Sequence, residues 1–390
     1  MFTKHVSALE WINEIDLVDH HCHGVIDANL DRSGFEALIT ESDAPAPAGT
    51  TFFDTQLGFA VRGHCAPVLG LEPFATPEAY LRRRKELGGA EANARFLAEA
   101  NINTYIVETG HRGDEILSPE GMGARAHANF AEVVRLERLA EELLEAGQAV
   151  EGFRTAYGHL LDRRLTTAVG VKSIAAYRVG LDFTPGPPSD ADVDRALTRW
   201  FAQAAEKDSS RLTDETLIRF VLWEAVQRKV PIQFHIGYGD PDVDLHRCNP
   251  LLLTEFMRRT RGSGATVLLL HCYPFHREAG YLAHVFEHVY CDVGLAVNYS
   301  GAQAEQIIAE SLELTPFHKA LFSSDAFGAS ELYYLGAKQF RTGLARTLDR
   351  WSAAEGWPET EQRRIAMLIG SENAHRVYSL DKPPSQGSRQ

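Results

Sequence analysis

No apolar run in this 390-residue chain approaches the roughly 20 residues that would cross a bilayer, so a membrane-spanning helix is not expected. The opening MFTKHVSALEWINEID lacks the apolar core of a secretory leader, and a cytoplasmic protein is the expectation. Basic excess is also missing. Lysine and arginine number 39 against 53 acids, a formal charge of −14, and the signs are scattered rather than blocked, which argues against a nucleic-acid partner. Cysteine is scarce and odd in number. The five (Cys22, Cys65, Cys248, Cys272, Cys291) form neither a CxxC pair nor a disulfide ladder, and are read as reduced, packing residues. There is no internal repeat at a solenoid period.

What is present is a rhythm. Short β-rich apolar runs fall at 15–21, 101–109, 131–137, 166–177, 230–237, 265–273, 288–295 and 319–326. Between them lie segments such as ADVDRALTRWFAQAAEK, ETLIRFVLWEAVQRK and NPLLLTEFMRRTR, whose apolar residues recur at three and four, the spacing of a one-sided helix. Alternation of this kind predicts parallel βα units, and eight of them predict an α/β fold, a (β/α)8 TIM barrel. One stretch breaks the rhythm. Residues 26–100, with the Pro-, Gly- and aromatic-rich FEALITESDAPAPAGTTFFDTQLGFAVRGHCAP followed by a helical pattern, predict a partly helical insertion after the first strand that caps the mouth of the barrel. Residues 1–380 are expected to form a single domain, with 381–390 (DKPPSQGSRQ from 381) a flexible tail.

The unusual residues fall at strand ends, where the loops of a parallel barrel build its active site. LVDHHCHGV places His21 and His23 two apart at the end of strand one. That spacing points both rings to one face, and puts His20 on the other. Lys172 lies late in strand four, His235 ends strand five, His271 ends strand six and Asp325 ends strand eight. One buried strand histidine is usually a satisfied core residue, but four at strand ends with a carboxylate form a donor set that suits Zn, Mn or Fe.

Lys172, among small and apolar neighbours, would have its ammonium disfavoured by desolvation. The neutral amine can add carbon dioxide to give a carbamate that bridges two cations. The competing reading pairs Lys172 with a buried acid such as Glu137, or with a substrate carboxylate. Asp325 would ligate a cation and accept a proton from water, since the next helix begins too late for it to be a cap. Arg178 could clamp a substrate carboxylate or face the surface, Tyr238 and Asp240 could line the pocket or build the turn, and Arg135 and Glu137 could pair inside the barrel. Cys22 and Cys272 flank the ligand candidates but should face away from the axis.

Together VDHHCHG, FHIG, LLLHCYP and LFSSDA resemble the strand-one, strand-five, strand-six and strand-eight motifs of the amidohydrolase superfamily. IGSENAHRVYSL is similar to the closing helix of its amidohydrolase-2 branch. KSIAAYR with ELYYLGAK resembles the amidohydrolase-like half of FluG-type and nodulin/glutamine-synthetase-like proteins, without the glutamine synthetase half. The resemblance implies that His21 and His23 bind a buried divalent cation, Zn before Mn or Fe. His235 and His271 would ligate a second or polarise the substrate, and Lys172, carboxylated, would bridge two. Asp325 and His271 would be the catalytic pair. One and two cations both occur in the branch.

The activity expected is hydrolysis of a C–N amide bond in a small carboxylate-bearing substrate, for example a γ-glutamyl amide, by metal-activated water. Non-oxidative decarboxylation and a non-catalytic metal-binding scaffold are the alternatives. The partner expected is a small molecule, with no nucleic acid and no membrane, and homo-oligomerisation left open.

Overall fold

The computed structural model describes residues 7–381, so the expected tail lies, except for Asp381, outside the described residues. Seven parallel strands follow one another around a curled sheet in chain order: β1 (Val18–Cys22), β2 (Thr104–Glu108), β3 (Asn129–Arg135), β4 (Gly170–Ser173), β5 (Pro231–His235), β6 (Thr266–Leu270) and β7 (Val289–Cys291). Helices connect them, as parallel neighbours require. Ser189 caps Asp190–Lys207, with Asp190 and Asp192 in its first turn, and turns Val193, Ala196, Leu197 and Trp200 inward. Asp214 does the same for Glu215–Gln227. The third expected helix is broken, a 3-10 turn Pro250–Leu253 leading into Thr254–Thr260. Between β1 and β2 the chain forms the helices Arg32–Glu36, Gln56–Ala60, Pro77–Leu87 and Gly89–Ala100, among shorter turns.

The eighth expected strand is not regular. Residues 320–326 run between β7 and β1, with Leu321 N donating to Cys291 O (3.1 Å) and His20 N to Phe322 O (3.1 Å), so the ring of hydrogen bonds still closes. A ladder fails here because the backbone N–H of Ser324 is taken by the Asp19 carboxylate (2.9 Å) and Asp325 has a left-handed backbone, φ 49°.

Inside the ring, Val18, Ile106, Val133, Leu268, Leu270 and Leu321 make a small apolar cluster. Ala374 and Tyr378 of the last helix, Asn373–Tyr378, join it and plug that end. The larger core lies outside the strands, under the helices.

Register matters most in β1. Asp19 pairs with Tyr105 but Cys22 with Val107, so β1 spends three residues (22 − 19) where β2 spends two (107 − 105). That bulge overturns strict alternation. His20 does not face away from its neighbours: its ring bonds Tyr378 and Asp292, and its carbonyl and the His21 ring share Gln233.

Candidate metal centre

His21, His271 and Asp325 each present a ligand atom, and these atoms lie within 4.8 Å of one another. His21 Nε2 is 3.1 Å and His23 Nε2 3.8 Å from Asp325 Oδ1, while His271 Nδ1 is 3.4 Å from Oδ2. His235 stands beside His271, ring centroids 4.7 Å apart. All five residues, with Lys172, line one cavity of about 500 Å³. Donors separated by some three hundred residues of chain thus converge at the carboxyl ends of the strands.

Each reaches the site for a local reason. The β1 bulge sends both His21 and His23 inward. On β6, Leu268 and Leu270 face the inner cluster, so alternation would send the next side chain outward. A left-handed backbone at His271, φ 70°, turns its ring into the cavity instead, and Asp292 Oδ1 holds its N–H (2.9 Å).

The electrostatics suit a cation. Burial, and next the Lys172 ammonium, push His21, His235 and His271 well below their ordinary value, so they are neutral ligands. His23 is lowered by burial as well, against the pull of Glu108. Burial raises the Asp325 carboxyl to about 8, and lowers the Lys172 amine to about 8. These are the protonation costs of crowding the groups together away from water. His235 Nε2, His271 Nδ1 and Lys172 Nζ are buried without hydrogen-bond partners, and unpartnered lone pairs around an Asp carboxylate are what a divalent cation satisfies. The residues therefore fit a metal.

Other candidates fall differently. Lys172 is not paired with Glu137, whose carboxylate accepts from Ser173 Oγ (2.7 Å) and Ile174 N (3.0 Å). Nor does Arg135 pair with Glu137. It grips Glu108 through two bonds (Nε–Oε1 3.1 Å, Nη2–Oε2 2.5 Å), and although burial raises Glu108, Arg135 beside it holds that carboxyl at about 2. Asp325 is no cap, because Ala329 precedes the helix Ser330–Glu355. Arg178 lines the cavity, tied to Glu141 at 3.3 Å with its Nε unpartnered. Asp240 lines it too, but Tyr238 is not on the wall: its ring packs edge-on against Tyr273 and Tyr299, and Tyr177 and Tyr299 face the cavity instead. Cys22 and Cys272 are free and buried, and burial pushes their thiols well above the usual range.

Residues passed over in the sequence include Glu108 and Asp292, both polar residues at strand ends and open to the same rule that found His235. Gln233 was visible as the inward neighbour of His235 two positions earlier, and its Oε1 accepts from His21 Nδ1 (2.8 Å). Glu41 and His111 carried no signal, since they reach the cavity from loops.

Comparison with known proteins adds a family. The model of a family described as amidohydrolase matches residues 75–380. The protein fluG of Emericella nidulans is 32% identical over 230 residues, 56% of this chain but only 26% of that protein, so this chain matches about a quarter of that relative's length. A crystal structure of a Lactobacillus casei protein assigned as a metal-dependent hydrolase superposes with a TM-score of 0.84 at 28% identity, covering 96% of this chain and 98% of that one. Uronate isomerase of Thermotoga maritima shares the fold at 12% identity and a TM-score of 0.61, with 95% and 97% covered.

Proposed function

The chain belongs to the amidohydrolase family, and on that premise we propose that it hydrolyses a C–N amide bond of a small, carboxylate-bearing substrate such as a γ-glutamyl amide. The observation that carries this is the convergence of His21, His271 and Asp325 within 4.8 Å, with His23, His235 and Lys172 on the same cavity. A divalent cation, Zn by the nitrogen and oxygen donors, supplies Lewis acidity toward a carbonyl and lowers the pKa of water. His21, His23 and Asp325 would hold it, with His235 and His271 completing the set. Lys172, buried and without a partner, would accept carbon dioxide and bridge a second ion.

Asp325, at the centre of the imidazoles, takes the proton of the attacking water and passes it to the leaving amine. The His271 ring polarises the carbonyl oxygen. Arg178, on the cavity wall with an unpartnered Nε, takes the substrate carboxylate. Glu41, Asp43 and Asp240 line the same cavity without an ion pair among the described residues, which suits the ammonium of an amino-acid substrate. Residues 26–100 act as the cap, contributing Leu38 and Glu41 to the wall.

Metal analysis of protein purified without chelators, with a panel of γ-glutamyl amides assayed for amine and for carbon dioxide, tests the reading. Bound metal and amine release in water are expected. Metal-free protein would remove the metal-dependent hydrolase, and carbon dioxide release without water consumption would replace hydrolysis by decarboxylation.

A further inference from the structure

Beneath the candidate ligands lies a buried polar network that ends on the last helix. The Tyr378 hydroxyl is 2.7 Å from Gln233 Nε2 and 3.0 Å from His20 Nδ1. Gln233 Nε2 also donates to the His20 carbonyl (2.9 Å), and its Oε1 faces His21 Nδ1 (2.8 Å). His20 Nε2 meets Asp292 Oδ2 (2.9 Å), whose other oxygen accepts the His271 N–H (2.9 Å) and the Ser323 hydroxyl (2.9 Å). His20, His21, Gln233 and Asp292 are each at most 4% exposed, so water cannot substitute for a lost partner.

The Gln233 amide in this network can be oriented only one way. A backbone carbonyl accepts only, so the Gln233 amide must turn Nε2 toward His20 O and Oε1 toward His21. His21 Nδ1 must then carry a hydrogen, which leaves the lone pair on Nε2, the atom that faces Asp325 at 3.1 Å. Tyr378 accepts from Gln233 and so directs its own hydrogen at His20 Nδ1, and His20 Nε2–H is directed at Asp292.

We propose that Gln233, oriented by the His20 carbonyl and tied by Tyr378 to the C-terminal helix, is a positioning residue that sets the tautomer of His21, and thereby the metal affinity of the site. The inference rests on His21 being a metal ligand, but the tautomer can be read with no metal present. Tyr378 touches neither substrate nor cation. It joins the terminal helix to both sides of the centre, to His21 through Gln233 and to the His271 backbone through His20 and Asp292.

Two readouts test it. In the apo wild type with 15N-labelled histidine, ring NMR is expected to show His21 protonated at Nδ1, with the Nε2 form appearing in Q233M, which lacks the acceptor. Zn2+ titrated against a chromophoric chelator should bind Q233M about 10-fold more weakly, the lower end of what such supporting bonds contribute. Y157F serves as the control, because Tyr157 buries a hydroxyl bond (to Leu136 O, 3.1 Å) but has none to the centre, and it should change stability without changing Zn2+ affinity.

A wild-type His21 protonated at Nε2 overturns the proposal, whether or not Q233M folds. So does Q233M affinity within about twofold of wild type. Wild type that binds no Zn2+ refutes the hydrolase reading instead, and leaves the tautomer measurement to decide this one.

Discussion

Lys172 and Asp325 sit in one buried cavity with their proton affinities driven toward each other, the amine down to about 8 and the carboxyl up to about 8, both by loss of water. In the proposed site a cation and carbon dioxide would remove that conflict, because the carboxylate would gain a metal and the amine would become an anionic carbamate. Growth of the protein in 13C-bicarbonate should therefore give a carbamate carbon resonance that Lys172→Ala lacks, with cation content falling from two per chain to one; equal content in both would reject the bridge. Asp325→Asn keeps the size and the hydrogen-bonding oxygen but cannot hold the proton. It is expected to fold as wild type by circular dichroism while turnover of a working amide falls about 100- to 10,000-fold. All six candidate ligands were legible in the sequence because each is a polar residue closing an apolar run. The setting of Tyr238 was not legible, because whether a loop tyrosine lines a cavity or builds the turn depends on what packs around it, here Tyr273 and Tyr299.

At the level of elements, the segment between β1 and β2 is fastened to the barrel by a buried ion pair. Arg84 of the helix Pro77–Leu87 meets Glu331 at 2.8 Å, with Tyr80 donating to the same carboxylate at 2.8 Å, and both charged residues are 2% exposed or less. Removing one partner strands a charge. Arg84→Met should therefore lower folding stability by about 3–5 kcal/mol in chemical denaturation, whereas a loss under about 1 kcal/mol would mean that the segment docks without it. The helices Asp190–Lys207 and Glu215–Gln227 were legible from apolar spacing. The β1 bulge was not, since nothing in LVDHHCHGV marks which residue is extra; that follows from how Val18–Cys22 meets Thr104–Glu108. The irregular eighth segment was hidden for a similar reason, as the Ser324 N–H bonds a carboxylate 305 positions away.

For the whole molecule, a cation bound to the native state and not to the unfolded chain must stabilise it. With free Zn2+ at a hundred times its dissociation constant the gain is about 2.7 kcal/mol, so calorimetry should show the thermal midpoint fall on chelation and recover on adding Zn2+. An unchanged midpoint would mean that folding does not assemble a metal site. The family, the α/β barrel and the donor types were determined by the sequence alone, because hydrophobic period and ligand chemistry are written in neighbouring residues. The inward turn of His20 and His271, the pairing of Arg135 with Glu108, and the bonds of the last helix to Gln233 and His20 were decided only by the tertiary structure. Each is a hydrogen bond or backbone turn between segments far apart in the chain, and such bonds have no local signature.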